Sequence, residues 1–574
     1  MTARKGIRLY GEAAITAIFN EYKQLKDLEA FGEINDEDLA PKVKRNALRV
    51  INLIKKKRCG KIKGRTVADG RPQRAYVSRE EATSQTVSTE AIMTTLLIDA
   101  YEGRKVAIFD VPGAYLQANM PKDKFIVINI EDEFVDIMCK VNPQYKKLVR
   151  NERGKEILYL RVLKALYGCI ESAFLWYETY TTVLKEMGFV LNAYDKCVAN
   201  ANIDGSQCTI VFYVDDNKIS HKNEKALTKV INKLEGHFGK LEISRGREHN
   251  FLGMRIKFIG NEVHISMKDY IREAIDIFPE PTNMKVTSPA KKNLFEINNK
   301  AEKLTKINSE LYHSIVAKLL WVMKRGRPDI ETAIAFLCTR VKDPDVDDWE
   351  KLKRLLCFLS ETINDVRVIG ASSMEILHTW IDASFAVHDD MKGHTGGTMS
   401  FGKGVLHAKS SKQKLNTKSS TETELIGVSE YIPYTIWMKN FLHEQGYKVT
   451  GNVYQDNQSA IKMEKNGRNS CTGNSRHVNI RFFFVKDLVD KKEIEIVYCP
   501  TETMLADFFT KPLQEKLFHM HRAVIMGWNS VESLKPKIVL EEHVESIDFE
   551  SPKIAERTYA SVVKYARPVS SHKF

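Results

Sequence analysis

The first half of the chain alternates between helical and strand-like patterns of apolar residues. Apolar residues recur at helical spacing over residues 11–31, which predicts an amphipathic helix. Residues 106–110 and 209–214 are short apolar runs that predict two buried strands, and residues 173–187 between them predict a helix. The first run ends in a carboxylate and two more directly follow the second. A sheet with acids at its strand ends is therefore expected.

The middle of the chain is helical and its last part is irregular. Residues 308–364 keep a helical pattern throughout, and Trp321 and Trp349 are the expected packing anchors. After Trp528 the chain becomes charged and contains prolines at positions 536, 552 and 568. We expect residues 529–574 to form a mobile tail.

Between these regions the pattern is typical of an α/β domain. A strand is expected from Ile376 to Asp382, followed by two hairpin strands interrupted by glycines, a helix from Thr421 and a strand ending at Asp456. Strands followed by alternating helices and strands predict a mixed sheet.

Composition narrows the class of protein. A chain of 574 residues with 43% hydrophobic and 28% charged residues can form about three or four domains. It contains no apolar run of membrane-spanning length, and Met1 is followed by Thr-Ala-Arg-Lys rather than by an apolar secretory signal. Its nine cysteines form no C-x-x-C pair, which argues against a disulfide framework and a zinc knuckle and favours a reducing, intracellular compartment.

Positive charge is concentrated near the N-terminus. The formal net charge is +13, and residues 42–79 contain fourteen Lys or Arg against the single acid Asp69. Such a block is typical of a protein that binds a polyanion, because neutralised phosphates release counterions. A solvated basic face explains the charge equally well at this stage.

A first set of carboxylates follows the two predicted strands. Asp110 ends one strand, and Asp215 and Asp216 follow the other. If these strands are neighbours, the acids meet and can bind two Mg²⁺ ions for phosphoryl transfer. An Asp-rich hairpin turn is the ordinary alternative. The cations expected on a facing loop are Lys63, Arg65 and Arg71.

A second set of acids lies in the C-terminal α/β region: Asp382, Glu424, Asp456 and Asp507. Together they are the set that a two-metal nuclease requires, although each alone is more often a surface acid. An integrase-like use of the same fold is the alternative, since 36 residues separate Asp456 from Glu493. Glu493 falls at the start of a predicted strand and no His/Cys zinc module precedes the region, so integrase is disfavoured.

The chain resembles the copia-type (pseudovirus) reverse transcriptases of LTR retrotransposons. The likeness is carried by residues 63–74 (KGRTVADGRPQR), 110–117 (DVPGAYLQ), 163–168 (LKALYG), 176–177 (WY), 213–216 (YVDD) and 251–253 (FLG). The resemblance implies that Asp110, Asp215 and Asp216 are polymerase metal ligands. It also implies that Tyr115 selects deoxynucleotides by excluding a 2′-hydroxyl. Gly168 would let the templating base pair approach the backbone. The implied substrate-binding residues are Lys63, Arg65, Arg71, Tyr115, Gly168 and Tyr213.

Two positions depart from the family pattern. Asn217 and Lys218 follow the YVDD motif where the family has apolar residues, so the second strand of that hairpin is expected to be less buried. The stretch 84–86 (SQT) lacks a proline that is often present there. Neither departure removes an expected ligand.

The C-terminal motifs resemble copia-type ribonuclease H blocks. They are residues 380–384 (WIDAS), 418–425 (KSSTETEL), 454–460 (YQDNQSA) and 506–513 (ADFFTKPL). Glu424 is preferred over Glu422 as the helical ligand, by a modest margin. Arg476 and His477 precede a helix with three phenylalanines. His477 is expected either to assist product release or to be a hydrogen-bonded structural histidine.

The resemblance covers residues 11–528 and sets the expected organisation. It implies an α+β / α/β multidomain fold, a right-hand polymerase followed by a ribonuclease H-like mixed-sheet domain. The expected boundaries are 1–290 for fingers and palm, 291–372 for a helical thumb or connection, 373–528 for ribonuclease H and 529–574 for the tail. No protease, nucleocapsid or integrase signature is present, so the chain is expected to be a released product or a fragment of a larger element.

The expected function is RNA-directed DNA polymerase with ribonuclease H, using two Mg²⁺ or Mn²⁺ ions at each site. The expected partners are an RNA template, a DNA primer, their RNA/DNA hybrid and deoxynucleoside triphosphates, with integrase or capsid as further partners and no membrane. The expected location is the cytoplasm, in virus-like particles, with delivery to the nucleus. The alternative is a catalytically inactive, retrotransposon-derived nucleic-acid-binding protein.

Overall fold

The computed structural model describes residues 1–56, 60–152, 154–466 and 479–534 of the chain. Residues Met1–Leu534 form one compact unit. The described residues of this unit form four β-sheets with helices packed around them. Across the described ranges, none of the helices combines the length and the apolar composition needed to cross a bilayer.

The N-terminal region begins with two helices rather than one. Gly11, at φ 52°, separates the two helices. The second helix ends at Asp27, and Glu29, also at φ 52°, follows it. The prediction of a helix that continues to residue 31 is therefore wrong at its C-terminal end. In chain order the elements are α1 (Ala3–Tyr10), α2 (Glu12–Asp27), β1 (Phe31–Gly32), α3 (Pro41–Asn46), β2 (Leu48–Lys56), β3 (Ile62–Ala68), α4 (Arg79–Ala82) and α5 (Thr89–Tyr101).

The next region completes the first sheet and forms the second. Its elements are β4 (Lys105–Asp110), β5 (Val127–Glu131), α6 (Glu133–Val141), β6 (Val149–Glu152), β7 (Lys155–Val162), α7 (Ser172–Glu186), β8 (Val190–Leu191), β9 (Val198–Ile203), β10 (Ser206–Tyr213), β11 (Asp216–His221), α8 (Glu224–Phe238) and β12 (Glu242–Gly246). The first sheet has the order β1-β7-β5-β2-β3, with β6 beside β7, and the second has the order β12-β4-β11-β10-β9-β8. The predicted neighbourhood of the two acid-bearing strands is confirmed, because β4 pairs with β11.

Three helices cover most of residues 308–364, which confirms the helical pattern predicted there; three short strands and one helix precede them. The elements are β13 (Glu248–Phe251), β14 (Met254–Ile259), β15 (Glu262–Ser266), α9 (Lys268–Asp276), α10 (Lys306–Arg325), α11 (Glu331–Arg340), α12 (Val346–Glu361) and β16 (Arg367–Ala371). Trp349 is 6% exposed and packs on Phe278, as expected of an anchor. Trp321 is half-buried and is covered by the guanidinium of Arg325, 3.3 Å from its ring centroid.

The C-terminal region is the predicted mixed sheet. Its elements are β17 (Ile376–Ser384), β18 (Lys392–Ser400), β19 (Gly402–Lys403), β20 (His407–Asn416), α13 (Ser420–Glu444), β21 (Thr450–Gln455), α14 (Gln458–Asn466), α15 (Asn479–Asp490), β22 (Ile494–Tyr498), α16 (Asp507–Thr510) and α17 (Glu515–Ile525). The order is β20-β18-β17-β21-β22, antiparallel on one side of β17 and parallel on the other. The third sheet has the order β13-β14-β15-β16-β19, and its last strand, β19, comes from the connection between β18 and β20 of the fourth sheet.

Two large hydrophobic cores support these sheets. One is built from α1, α2 and the first sheet, around Ile18, Tyr22 and Leu160. The other runs continuously from the second sheet through the helices to the fourth sheet. The multidomain α/β fold class is confirmed. The domain boundaries at residues 290, 372 and 528 stay predictions. Most of the expected tail, residues 535–574, lies outside the described residues.

Candidate active sites

The first candidate site lies at the edge where β4 ends and β11 begins. Asp110 is the last residue of β4, and it is paired directly across the ladder with Asp216, the first residue of β11. On the other side of β4, Glu242 of β12 pairs with Asp110. The backbone N–H of Val111 donates to the carbonyl of Asp215 at 3.4 Å. The three predicted polymerase acids are therefore brought together by adjacent strands.

The YVDD motif forms a two-residue hairpin turn that is held in an unusual conformation. Tyr213 and Asp216 are the closing pair of the hairpin, and Val214 and Asp215 form its tip. Val214 has φ 59°, in the left-handed region that β-branched residues rarely adopt. The indole N–H of Trp176 donates to the Val214 carbonyl at 2.8 Å, which helps to hold this strained backbone.

Crowding of the acids changes their titration. Burial, Asp215 and Asp110 together raise the pKa of Asp216 to about 6. Burial, together with the nearby Asp215, also raises the pKa of the Tyr115 phenol. Carboxylates that repel one another in this way are stabilised by a shared divalent cation, so the donor set fits a site for Mg²⁺ or Mn²⁺.

The expectation about the second hairpin strand is wrong. Asn217 and Lys218 are both 0% exposed. The ammonium of Lys218 pairs with Asp99 of α5, and the carboxamide of Asn217 accepts from the phenol of Tyr180 on α7 at 2.7 Å. Polar residues are buried here because two helices supply their partners.

The second candidate site is a cluster of three carboxylates. One carboxylate oxygen from each of Asp382, Glu424 and Asp456 lies within 4.8 Å of the others. Asp382 comes from β17, Glu424 from the first turns of α13, and Asp456 follows β21, which runs parallel to β17. Glu422 instead accepts from the backbone N–H of Lys418 at 2.7 Å, so Glu424 is the glutamate of this cluster.

Asp507 lies beside this cluster and is tied to it through a lysine. The ammonium of Lys511 is 2.7 Å from Asp507 and 3.7 Å from Asp382. The hydroxyl of Thr510 donates to Asp382 at 2.5 Å. Burial and the nearby Asp382 raise the pKa of Asp507 to about 7, whereas burial, Asp382 and Asp456 hold the pKa of Glu424 well above its usual range. The crowding again fits a divalent cation.

Comparison with known proteins identifies the first of these regions. Residues 40–292, which contain Asp110 and the YVDD turn, match the family described as reverse transcriptase (RNA-dependent DNA polymerase). This segment belongs to the reverse transcriptase family. The chain is 26% identical over 473 residues to the retrovirus-related Pol polyprotein from transposon TNT 1-94 of Nicotiana tabacum, covering 81% of this chain and 34% of that protein.

A second relative matches a longer part of this chain. It is the transposon Ty1-MR1 Gag-Pol polyprotein of Saccharomyces cerevisiae, 25% identical over 537 residues, with 89% of this chain and 28% of that protein covered. The resemblance to copia-type LTR retrotransposon reverse transcriptases is confirmed. The chain spans about a third of the length of these curated relatives.

Among solved structures, the chain is similar to the foamy viral protease-reverse transcriptase in complex with RNA/DNA hybrid. The sequence identity is 15% and the TM-score is 0.47, and the match covers 84% of this chain and 56% of that chain.

Two of the candidate nucleotide-binding residues, Arg65 and Tyr115, stack on Tyr167, a residue for which the sequence predicted no role. The guanidinium of Arg65 lies 4.7 Å from the ring centroid of Tyr167, and that ring lies 4.6 Å from the ring of Tyr115. Tyr167 belongs to the LKALYG motif but received no role. Burial and the nearby Asp215 raise the pKa of the Tyr167 phenol.

The other three predicted substrate-binding side chains, Lys63, Arg71 and Tyr213, have different surroundings. Lys63 is exposed on β3, and Arg71 is 80% exposed and pairs with Asp69 at 2.6 Å. Tyr213 is half-buried at the hairpin end. All three stay predictions as substrate-binding residues.

Gly168 is explained by contacts inside the protein. It has φ 95°, and a Cβ there would lie 2.0 Å from the backbone oxygen of Ala68. Ala68 in turn donates its backbone N–H to the carbonyl of Tyr167 at 2.7 Å. Glycine is therefore required where two backbone segments meet, and its expected contact with a templating base pair stays a prediction.

Two further expectations concern the C-terminal region. Glu493 directly precedes β22 and its carboxylate pairs with Lys439 at 3.2 Å, so it is not the partner of Asp456 that the integrase alternative requires. Arg476 and His477 lie outside the described residues.

Proposed function

We propose that this chain is an RNA-directed DNA polymerase that copies retrotransposon RNA into cDNA and cleaves the RNA strand of RNA/DNA hybrids with a second, ribonuclease H site. The observation that carries the proposal is the gathering of distant acids into two separate clusters, one inside the reverse transcriptase segment and one in the C-terminal mixed sheet. Phosphoryl transfer and phosphodiester hydrolysis both need such clusters.

In the polymerase site, Asp110, Asp215 and Asp216 are the proposed metal ligands. Two divalent cations at each cluster would offset the charge of the phosphate and of the attacking and leaving oxygens. The stacked Tyr115 ring is proposed to lie beneath the sugar of the incoming nucleotide and to exclude a 2′-hydroxyl. Arg65 is proposed to bind the triphosphate, since its guanidinium is exposed and faces the same aromatic stack.

In the ribonuclease H site, Asp382, Glu424, Asp456 and Asp507 are the proposed ligands. Lys511 lies between Asp382 and Asp507 and partly neutralises them. The positive charge of Lys511 opposes the rise in the pKa of Asp507 that burial and Asp382 cause, but does not cancel it.

The substrate is proposed to be held by phosphate contacts and duplex shape. The basic residues of the N-terminal region and the helices over residues 291–372 would bind the backbone of the hybrid. Deoxynucleoside triphosphates, integrase and capsid are proposed as further partners. Virus-like particles in the cytoplasm, with later delivery to the nucleus, are the proposed setting.

Primer extension on poly(rA)/oligo(dT) with dTTP and Mg²⁺ tests the polymerase proposal. The wild-type chain is expected to extend the primer, and an Asp215→Asn/Asp216→Asn variant is expected to lose extension while its thermal unfolding is unchanged or stabilised. Equal extension by both proteins would reject the proposed site. No extension by either would favour the alternative of an inactive nucleic-acid-binding protein.

A further inference from the structure

The two backbone carbonyl groups at the tip of the YVDD hairpin accept hydrogen bonds from side chains of the protein. Val214 is strained at φ 59°, and the carbonyls of Val214 and Asp215 are the acceptors on this tip. A strained turn persists only where its surroundings determine it. The contacts that determine it therefore also set the position of the candidate acids.

The side chain of Asn217 supplies the shortest of these contacts. Its carboxamide N–H donates to the Asp215 carbonyl at 2.6 Å, whereas the backbone N–H of Val111 reaches the same carbonyl at 3.4 Å. The Asp215 carbonyl thus connects β11 to the segment that follows Asp110. Loss of the carboxamide would leave only the longer contact.

Asn217 is itself oriented by helix α7. The phenol of Tyr180 donates to its carboxamide oxygen at 2.7 Å, and both side chains are 0% exposed. Trp176, one helical turn earlier, stacks on Tyr180 at 5.1 Å and donates to the Val214 carbonyl. One face of α7 therefore holds both carbonyls of the turn, directly through Trp176 and indirectly through Tyr180 and Asn217.

We propose that Asn217 is a positioning residue that fixes the Asp215 carbonyl, and with it the acid-bearing turn, against the strand end of Asp110. The proposal rests on the proposed polymerase function and deepens it. An apolar residue at this position would leave the Tyr180 hydroxyl and the Asp215 carbonyl without this partner. Buried polar groups without partners favour rearrangement of the turn.

The chain offers a matched pair of variants for the test. Tyr180→Phe and Thr181→Val each remove one buried hydroxyl from α7, but among the described residues the Thr181 hydroxyl bonds only to backbone carbonyls of its own helix. Asn217→Leu removes the proposed contact itself. Thermal unfolding of all three variants shows whether each one folds.

The first readout is steady-state primer extension. We expect Asn217→Leu to lower kcat by roughly 10-fold to 100-fold, because a displaced reacting group costs about that much. The KM for dTTP is expected to stay within about two-fold, since Asn217 does not touch the proposed nucleotide site. Tyr180→Phe is expected to give a smaller fall in kcat, and Thr181→Val none. Wild-type kcat for Asn217→Leu would overturn the proposal, as would an equal fall for Thr181→Val.

The second readout does not depend on activity. Amide hydrogen exchange in peptides spanning residues 207–219 is expected to be faster in Asn217→Leu and Tyr180→Phe than in wild type and unchanged in Thr181→Val. If the wild-type chain extends no primer, the proposed function fails, but this exchange pattern still decides the inference. Exchange at the wild-type rate in Asn217→Leu would overturn it.

Discussion

Replacement of Lys218 tests how the strand that carries Asp216 is held in the core. Lys218 is 0% exposed and pairs with Asp99, which is 1% exposed on α5. Burial lowers the pKa of Lys218, and the adjacent Asp99 opposes that fall. A second oxygen of Asp99 is buried with no hydrogen-bond partner in the described part of the chain. A Lys218→Met variant therefore leaves the buried Asp99 carboxylate without its ion-pair partner and, in the described part of the chain, without a side-chain hydrogen bond.

The size of the effect follows from the burial of both groups. Removal of one partner of a fully buried ion pair costs about 3–5 kcal/mol, because the remaining charge stays out of water. Replacement of both partners by apolar residues of similar size is often close to neutral. We therefore expect Lys218→Met to lose about 3–5 kcal/mol, and Asp99→Leu/Lys218→Met to recover most of that loss.

Native-state hydrogen exchange is the suitable assay, since a chain with two large cores need not unfold in one step. The free energy of opening is read from peptides covering residues 216–221. A loss below about 1 kcal/mol in Lys218→Met would refute the reasoning, given the cost of an unpaired buried charge. A double variant as unstable as the single one would show that packing, rather than charge, accounts for the loss.

Three further predictions follow from other parts of the structure. Asp329 is buried with Arg327 and Arg522, so Asp329→Asn is expected to lower the local free energy of opening by about 3–5 kcal/mol in native-state hydrogen exchange. Burial raises the pKa of Asp329, but the two arginines outweigh burial and bring this pKa to about 2. The stability that the ionised Asp329 contributes is therefore complete above about pH 4 and is lost as the pH falls to about 2. An acid titration of the Asp329→Asn variant should lack this loss. Gly168→Ala is expected to lower the thermal midpoint of unfolding more than Gly103→Ala, because both glycines have positive φ but a Cβ at Gly103 meets nothing within 4 Å. Equal shifts of the midpoint would exclude the close approach of Gly168 to the Ala68 backbone. Retention of an RNA/DNA hybrid is expected to fall roughly 1,000-fold or more between 50 and 200 mM salt, and a flat response would contradict phosphate-based binding.

Much of the acid geometry could be predicted from the sequence, because strand ends place side chains at one edge of a sheet. Asp110 and the YVDD acids fall at such ends, and the pairing of Asp110 with Asp216 agrees with that prediction. Asp382 and Asp456 likewise belong to neighbouring parallel strands. The choice of Glu424 over Glu422 was narrow in sequence, since the two are separated by one residue. It depends on helix α13 beginning at Ser420, which puts Glu422 in the first turn, where it bonds to the Lys418 backbone.

The burial of Asn217 and Lys218 could not be predicted in the same way. Polar residues in a strand pattern predict exposure unless partners are known, and the partners here lie 37 and 119 residues earlier in the chain. The position of Tyr167 in the aromatic stack could not be predicted for a similar reason. Its motif was visible, but the stack between Arg65 and Tyr115 depends on how three separate segments meet.

The central claim is that one chain holds two independent acid sites, and a reciprocal assay tests it most directly. A labelled RNA/DNA hybrid with a recessed primer reports extension and RNA cleavage in the same reaction. Asp215→Asn/Asp216→Asn is predicted to abolish extension and keep cleavage, and Asp382→Asn is predicted to do the reverse. Loss of both activities in either variant, or of neither in both, would contradict the account.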